Sequence, residues 1–217
     1  MTARETLVLH DAADLDRPVL LALAHGRVDL ELGPDLLLGL ERSRAALLAG
    51  LTSAGPVYGV TTGMGAMAGI TLDAHARTRH QAQLVLGRAV GSPPWLSAVE
   101  TRALLAVRLR TFLHPEAGVS PDLCRRLVQM LDADVLPCVP ARGNGAAGEI
   151  IPLAHAGAVV LGGDQTLTGN SLPPFAFGAK EGVAFLEGVP GATALAMVRA
   201  EEAGVVLEQS ACVLAAA

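Results

Sequence analysis

Residues 145–155 read GAAGEIIPLAH, and this stretch decides the fold because a glycine-rich loop turns into an apolar helix within it. The loop spans residues 137–149. Pro152 opens the helix, since the first helical turn does not need the N–H group that proline lacks. A second glycine-rich stretch, VYGVTTGMGAMAG at residues 57–69, has no helical period and is predicted to be another loop. The chain therefore places two glycine-rich loops between helical segments.

The segments around these loops carry helical patterns. Four predicted helices have a capping residue or apolar residues at helical spacing: residues 35–52, about 72–90, Ser97 to about Leu113, and a helix that opens at Ser120-Pro121. Strict alternation predicts one short strand at residues 27–32, and residues 163–178 are predicted to be a loop. These patterns indicate a mainly α-helical chain.

From Gly191 to its last residue, the chain is predicted to form one long helix that is apolar on almost every side. A helix without a polar face is normally buried. We therefore expect a partner chain or self-association to cover this helix. The alternative is an alanine-rich tail that frays.

The composition indicates one globular domain over residues 1–217. Apolar residues make up 51% of the chain, charged residues 17% and aromatic residues only 3%. The apolar fraction excludes a disordered chain, and the scarcity of aromatic residues favours packed helices over a β-sandwich. The 3 cysteines have no C-x-x-C spacing, which argues against a disulfide framework or a zinc site.

Charge and hydropathy narrow the range of partners. The formal net charge is −5 and no Lys/Arg cluster forms a basic stripe, so nucleic acid is not expected as a partner. The first residues lack the apolar core of a signal peptide, and charges interrupt the apolar runs before they could span a bilayer. We expect a cytoplasmic protein without membrane contact and without a metal site.

Five segments, in the same order, resemble the aromatic amino acid ammonia-lyases, the family of the histidine, phenylalanine and tyrosine lyases. They are YGVTTGMG at 58–65, HQAQLVLGR at 80–88, RLR followed by GV within 108–119, GAAGEIIPLAH at 145–155, and KEGVAFLEG at 180–188. The family patterns are YG(V/I)NTGFG, LQxNL(V/L)xSH, RLN…SGV, GASGDLAPLAH and KEGLALING. The resemblance implies the mostly helical ammonia-lyase fold, in which this N-terminal part carries the active-site loops, a few short strands and a long C-terminal helix.

Members of this family are more than twice as long as the chain, and their C-terminal part supplies much of a central helix bundle. They are tetramers whose active sites mix residues from several subunits. The resemblance therefore implies that the chain lacks the C-terminal bundle half. It also implies a homo-oligomer or a hetero-oligomer, in which a second polypeptide would supply that half.

The resemblance also identifies the position of the family's prosthetic group, and the residues there cannot form it. In the family, an Ala-Ser-Gly triad cyclises and the serine loses its hydroxyl, which gives the electrophile methylidene-imidazolone. The triad here is Ala146-Ala147-Gly148. Alanine has no β-hydroxyl to eliminate, so no methylidene can form at Ala147. No cofactor is expected, although the loop geometry can persist.

Tyr58 matches the family's tyrosine that removes the β-proton of the substrate, and it is the only tyrosine in the chain. A tyrosine acts as a base only where positive charge or hydrogen bonds lower its pKa. The resemblance implies an acid or base role for Tyr58. The alternative is a tyrosine whose ring packs and whose hydroxyl finds a structural partner.

Several further positions match the family's substrate pocket. The resemblance implies substrate-binding roles for Thr61, Met64, Gln83, Arg88 and Glu187. Thr61 and Glu187 replace asparagines of the family pattern, Met64 a phenylalanine and Arg88 a histidine. Arg88 and Glu187 would face the same pocket, where they bind a substrate's carboxylate and amine separately or form an ion pair. That ion pair could also be purely structural.

Three functional hypotheses follow. The first is a diverged enzyme, one half of a split lyase-fold assembly, that eliminates, isomerises, cyclises or hydrates a small carboxylated or biosynthetic substrate with Tyr58 as acid or base. The second is a non-catalytic structural or regulatory subunit that pairs with a lyase-like protein. The third is a truncated Ser-to-Ala variant of a conventional ammonia-lyase.

His155, in the helix after Pro152, is expected to be a buried, hydrogen-bonded histidine.

Overall fold

The computed structural model describes residues 4–142 and 148–216. Its helices are α1 (Arg17–Ala24), α2 (Pro34–Ser53), α3 (Ala74–Leu86), α4 (Ala98–Phe112), α5 (Pro121–Asp132), α6 (Ile150–Val160), α7 (Glu181–Leu186) and α8 (Pro190–Ala216). The strands are β1 (Glu5–Leu9) and β2 (Val28–Leu32). The predicted mainly α-helical fold with a few short strands and a long C-terminal helix is confirmed.

The two strands form a small parallel sheet. Leu7 lies opposite Leu30, and α1 makes the crossover that a parallel pair requires. The strand predicted at residues 27–32 is therefore β2, whereas β1 was not predicted. Its sequence, ETLVL, does not alternate strictly, and β1 exists through its pairing with β2, which lies well along the chain.

Helix α4 is central to the described fold, because its residues from Glu100 to Leu109 are all buried. It packs against α1, α5 and α8. The predicted capping box is present: the backbone N–H of Ser97 donates to Glu100 Oε2 at 2.7 Å, and the N–H of Glu100 donates to Ser97 Oγ at 3.3 Å. This cap sets the start of α4, and the register of α4 determines which of its charged side chains lie inside the core.

Some helix boundaries differ from the prediction. Helix α3 ends at Leu86, short of the expected residue 90, where the N–H of Gly87 donates to the Gln83 carbonyl and caps the helix. Helix α6 begins at Ile150, two residues before Pro152. Helix α7 was not predicted, because six residues are too few to show a helical period.

The first part of α8 is anchored and the rest is exposed. His25 Nε2 lies 2.8 Å from Glu201 Oε2, and Arg199 forms an ion pair with Glu100 of α4. Beyond these contacts, five apolar side chains are exposed: Val205, Val206, Leu207, Val213 and Leu214. By length and composition, the helical stretch Glu181–Ala216 could cross a bilayer, which the charge pattern did not suggest, but core helices of soluble proteins pass the same test.

Candidate active site

The loop that carries Tyr58 is folded by its own hydrogen bonds. The carbonyl of Val57 accepts from the N–H groups of Val60, Thr61 and Thr62 at 2.9–3.2 Å. The N–H of Leu72 donates to the Thr61 carbonyl at 2.8 Å, which closes the loop at its far end. These bonds hold the backbone on both sides of Tyr58, so the loop is a defined platform for that side chain.

The Tyr58 side chain points its hydroxyl to a backbone donor. The residue is 54% exposed, and its hydroxyl oxygen accepts a hydrogen bond from the N–H of Gly65 at 3.0 Å. The phenolic proton is left for another acceptor, because the Gly65 contact uses only the oxygen. Met64, the residue before this donor, is half-buried and packs against the core.

Thr61 is a structural part of the same loop. It is buried, and its hydroxyl oxygen accepts a hydrogen bond from the N–H of Val57 at 2.7 Å. It lines a cavity of about 500 Å³ at the end of α2, where Arg77 is the charged lining residue. Tyr58 is not among the lining residues of this cavity. Thr61 therefore serves the loop through its hydroxyl and borders a space that Tyr58 does not reach.

Two of the predicted pocket residues lie near the C-terminal end of α3, Gln83 within the helix and Arg88 just after it. Gln83 is exposed, and Arg88 is half-buried with its Nη1 donating to the Leu84 carbonyl at 2.9 Å. Burial, with the nearby charge of Arg88, lowers the pKa of His80 on the same helix. Arg88 therefore has a fixed position and a guanidinium that is only partly satisfied.

Buried hydrogen bonds of Glu181 and Arg44 hold the start of α7. Glu181 is 1% exposed, and its carboxylate accepts from the N–H groups of Ser120 at 2.7 Å and Gly178 at 2.6 Å. Arg44 donates to the carbonyls of Gly118 at 2.5 Å and Ala179 at 2.6 Å. Burial lowers the pKa of the Arg44 guanidinium, and the charge of Glu181 opposes that shift. Helix α7 is thus tied to the core through buried charged groups.

Arg108 of α4 forms hydrogen bonds to the backbone at the end of α7. Its Nη2 donates to the Glu187 carbonyl at 2.6 Å and its Nη1 to the Ala184 carbonyl at 3.3 Å. Burial lowers the pKa of Arg108 to about 10, against the opposing charges of Glu149 and Glu187. The Glu187 side chain itself is exposed. Arg108 therefore fixes the backbone that presents the Glu187 carboxylate.

The ion pair considered between Arg88 and Glu187 is absent from the ion pairs of residues 4–142 and 148–216. Arg88 contacts the Leu84 carbonyl instead, and Glu187 points to solvent. The two side chains are separate charged groups in this structure. A structural salt bridge between them is therefore not what keeps these charges in the protein.

The glycine-rich loop is described only from Gly148 onward, so Ala146 and Ala147 lie outside the described residues. Gly148 has a φ of +73°, a conformation that glycine adopts at little cost. A Cβ added to it would lie 3.9 Å from the carbonyl oxygen of Gly188, just after α7. The end of this loop therefore lies beside the end of α7.

Helix α7 is the place where the motif segments meet. Its Val183 lies against the Tyr58 loop, since a Cβ added at Gly59 would lie 2.9 Å from Val183 Cγ2. The helix also packs against α3 and α6, and its C-terminal end adjoins Gly148. The tyrosine loop, the α3 segment, the glycine-rich loop and the KEG segment thus converge around six residues.

Three residues that organise this region were not singled out from the sequence. They are Gln81, Arg108 and Glu149, and each contacts backbone groups from distant segments. All three lie inside the quoted motifs, which is the signal that could have identified them. His155 was predicted correctly as a buried, hydrogen-bonded residue, because its Nε2 accepts from the N–H of Gly91 at 2.9 Å and it is only 6% exposed.

The fold is that of the N-terminal part of the helical ammonia-lyases and aminomutases. The structure is similar to tyrosine aminomutase from Streptomyces globisporus, with a TM-score of 0.77 and 26% identity over 90% of this chain and 38% of that chain. It shares its fold with ergothionase from Treponema denticola, with a TM-score of 0.80 and 21% identity over 89% of this chain and 41% of that chain.

The chain belongs to the aromatic amino acid lyase family, whose model matches residues 15–217. It is 36% identical over 211 residues to a histidine ammonia-lyase from Paracidovorax citrulli, which covers 91% of this chain and 41% of that protein. A histidine ammonia-lyase from Aromatoleum aromaticum is 35% identical over 78% of this chain and 35% of its own length. The chain thus spans well under half the length of these relatives.

Proposed function

We propose that this chain is the active-site half of a lyase-fold enzyme that works without methylidene-imidazolone, with Tyr58 as its acid or base. The observation that carries the proposal is the convergence of the motif segments around α7, beside a tyrosine that remains exposed. A tyrosine retained only for packing would normally bury its ring. Tyr58 is instead more than half exposed at 54%.

The hydrogen bond at Tyr58 suits proton transfer. The Gly65 N–H donates to the phenol oxygen, so it can remain in place whether or not the hydroxyl carries its proton. The oxygen lies on a loop that its own backbone bonds hold in shape. A general base must be positioned before its acidity matters, and this loop supplies the positioning.

The charged residues near the ends of α3 and α7 suit a small amino or carboxylic acid. Arg88 can bind a carboxylate, and Glu187 an amine, because the two do not neutralise each other. Without the electrophile at Ala147, the chemistry is limited to reactions that an acid and a base can drive. Elimination of an activated leaving group, isomerisation, cyclisation and hydration fall in this group.

The remainder of the site would pack on α8. The apolar side chains of α8 beyond Glu201 are exposed, including Leu207 at 71% and Leu214 at 78%. A contiguous apolar helix face of this kind is typical of a protein–protein interface. We propose a cytoplasmic homo- or hetero-oligomer that acts on a small molecule, with no nucleic acid or membrane as partner.

A second candidate function is a non-catalytic subunit of a lyase-like assembly. Ala147 favours it, because that residue cannot provide the group on which the family's chemistry depends. The third hypothesis, a Ser-to-Ala variant of a conventional ammonia-lyase, is separated by Ala147→Ser in the complete protein. Formation of methylidene-imidazolone would add near-ultraviolet absorbance and remove two waters of mass, and the absence of both signatures would exclude that hypothesis.

The test of the proposed function begins with native mass spectrometry of the protein from its own host, which identifies any partner chain. The isolated assembly is then screened against small carboxylated substrates, and Tyr58→Phe is compared with Thr168→Val. The control removes a hydroxyl that donates to the Asp134 carbonyl and accepts from the Asn170 N–H, outside the motif segments. We expect Tyr58→Phe to abolish turnover with the assembly intact and Thr168→Val to retain it. Intact assembly with no turnover in any protein would favour the non-catalytic subunit.

A further inference from the structure

Gln81 connects the Tyr58 loop to α7. Its side chain is 0% exposed, and both ends of its amide are used. Nε2 donates to the Gly59 carbonyl at 3.0 Å, and Oε1 accepts from the Val183 N–H at 3.1 Å. A carbonyl must be met by the NH₂ group and an N–H by the amide oxygen, so these partners define the orientation of the amide.

The Gln81 side chain lies where α3 and α7 pack closely, so there is little room for water to take over its hydrogen bonds. A Cβ added at Gly182 would lie 2.3 Å from the Gln81 carbonyl oxygen, so α3 and α7 are in backbone contact there. On the other side, Val183 lies close to Gly59. Breaking the amide contacts would leave the Gly59 carbonyl and the Val183 N–H without these partners inside the fold, which is unfavourable.

The hydrogen bond from Gln81 to Gly59 matters for the position of Tyr58. It directly follows Tyr58, has a φ of +71°, and has no side chain with which to hold the loop. The loop's own backbone hydrogen bonds run to the Val57 carbonyl, and the Gln81 amide adds a separate hydrogen bond to the Gly59 carbonyl. By fixing the Gly59 carbonyl, Gln81 fixes the peptide plane between Gly59 and Val60, one residue after the tyrosine, and by binding Val183 it ties that plane to the helix that presents Glu187.

We propose that Gln81 is a positioning residue, which sets where the Tyr58 hydroxyl lies relative to α7. Its consequence for turnover rests on the proposed function, whereas its effect on Tyr58 does not. The competing explanation is that Gln81 only fills space between α3 and α7. Gln81→Met separates the two, because methionine has a similar length and volume but cannot make either hydrogen bond.

The tyrosine itself is the reporter, since the chain contains only one. Tyrosine labelled with ¹³C at the ζ carbon gives a single NMR signal from Tyr58 in the full chain. For Gln81→Met, we expect that signal to shift or broaden and the exchange of the Gly65 amide to accelerate roughly five- to tenfold, the factor to which one typical hydrogen bond converts. Val128→Ala in α5, compared at equal stability, is expected to leave both unchanged.

Gln81→Glu adds a pH-dependent test that does not depend on the methionine variant folding. At high pH, its carboxylate faces the Gly59 carbonyl and cannot donate, so the Tyr58 signal is displaced. At low pH, the protonated carboxyl donates to Gly59 and accepts from Val183, so the signal returns toward that of the wild type. A displaced signal in Gln81→Glu that ignores pH, a wild-type signal in Gln81→Glu at high pH, or a wild-type signal in Gln81→Met would overturn the inference.

These results remain separate from those on the proposed function. If the Gln81 variants move the Tyr58 signal but Tyr58→Phe keeps full turnover, Gln81 positions a residue that is not catalytic, and only the proposed function fails. If Tyr58→Phe abolishes turnover while the Gln81 variants leave the signal unchanged, the catalytic proposal holds and the positioning role is wrong.

Discussion

The Glu149 carboxylate accepts a hydrogen bond of 2.5 Å from the backbone N–H of Gly191, and a second one of 2.5 Å from the N–H of Ala192. The residue that follows the altered Ala-Ala-Gly triad is therefore the cap of α8. A carboxylate at a helix N-terminus satisfies free N–H groups and interacts favourably with the helix dipole. This contact joins the end of the glycine-rich loop to the longest helix of the fold.

Removal of this cap is expected to destabilise the protein. Glu149→Ala should lower the free energy of unfolding by about 1–2 kcal/mol, the range for loss of a helix cap, and should speed amide exchange at Gly191 and Ala192. Glu149→Gln should lose less, because the amide oxygen still accepts one hydrogen bond. Glu187→Ala, an exposed carboxylate beside the same region, is the control in denaturant titration. Equal stability of Glu149→Ala and the wild type would contradict the capping role.

Helix α4 and the loops show how much the sequence could predict. Capping at Ser97, the leucines of α2 and the glycines of residues 57–69 are local signals, and the elements they predict are present. Helix α7 and strand β1 are short, and their stability comes from tertiary contacts. For α7 these include the hydrogen bond from the Ser120 N–H to Glu181, and for β1 the pairing with β2. Such contacts join residues far apart in the chain, so local pattern could not reveal them.

The residues of the candidate site also separate into those that the sequence could predict and those that it could not. Tyr58 was predicted from a motif, and it is an exposed residue whose hydroxyl oxygen accepts from the Gly65 N–H. Motif matching could not tell which member of a motif faces the ligand and which supports the backbone. Gln83 is exposed, whereas Gln81, two residues away on the same helix, is fully buried and connects two segments. Helical geometry places such neighbours on different faces, and only packing decides which face is inside.

Arg88 is expected to contribute to the binding of anionic ligands. Its guanidinium makes one hydrogen bond, to the Leu84 carbonyl, and no ion pair with the described residues, so donors remain for a carboxylate. Arg88→Ala should weaken binding of a small aromatic carboxylate, such as cinnamate, by roughly tenfold or more in calorimetry, since hydrogen bonds to charged groups contribute about 1.5–3 kcal/mol. Arg79→Ala, on an exposed position of α3, is the matched control. Equal affinity of both variants would exclude Arg88 from the binding site.

Stability should fall as the pH falls through the histidine range. Burial lowers the pKa of His155 and of His80, so the folded state resists protonation and the unfolded state binds the additional protons. Stability is then complete above the unfolded pKa of about 6.5 and decreases below it. His155→Gln keeps an acceptor for the Gly91 N–H and should remove part of this decrease. His10→Gln, at an exposed position, is the control and should leave the decrease in stability unchanged. Urea titrations at pH 7.5 and 5.5 measure this decrease for both variants. The same slope in both variants would contradict the assignment to His155.

The three cysteines allow the proposed cover of α8 to be measured. Cys212 is exposed on α8, in the stretch that carries Leu207 and Leu214, whereas Cys124 is buried. Burial raises the pKa of the Cys124 thiol to about 12, so this thiol should not react with a thiolate-dependent reagent at neutral pH. In the isolated chain, we expect a fast reaction at Cys212 that Cys212→Ser removes.

In the native assembly, the same fast phase should slow many-fold, because a helix packed on this face would exclude the reagent from Cys212. Cys124 stays unreactive in both states and shows that the fold is intact. Partial reaction of Cys138, which is half-buried and whose thiol pKa burial raises, should be equal in both states, since it lies outside α8. An equally fast reaction of Cys212 in the assembly would mean that these apolar side chains of α8 stay open to solvent, and the proposal that the remainder of the site packs on α8 would be wrong.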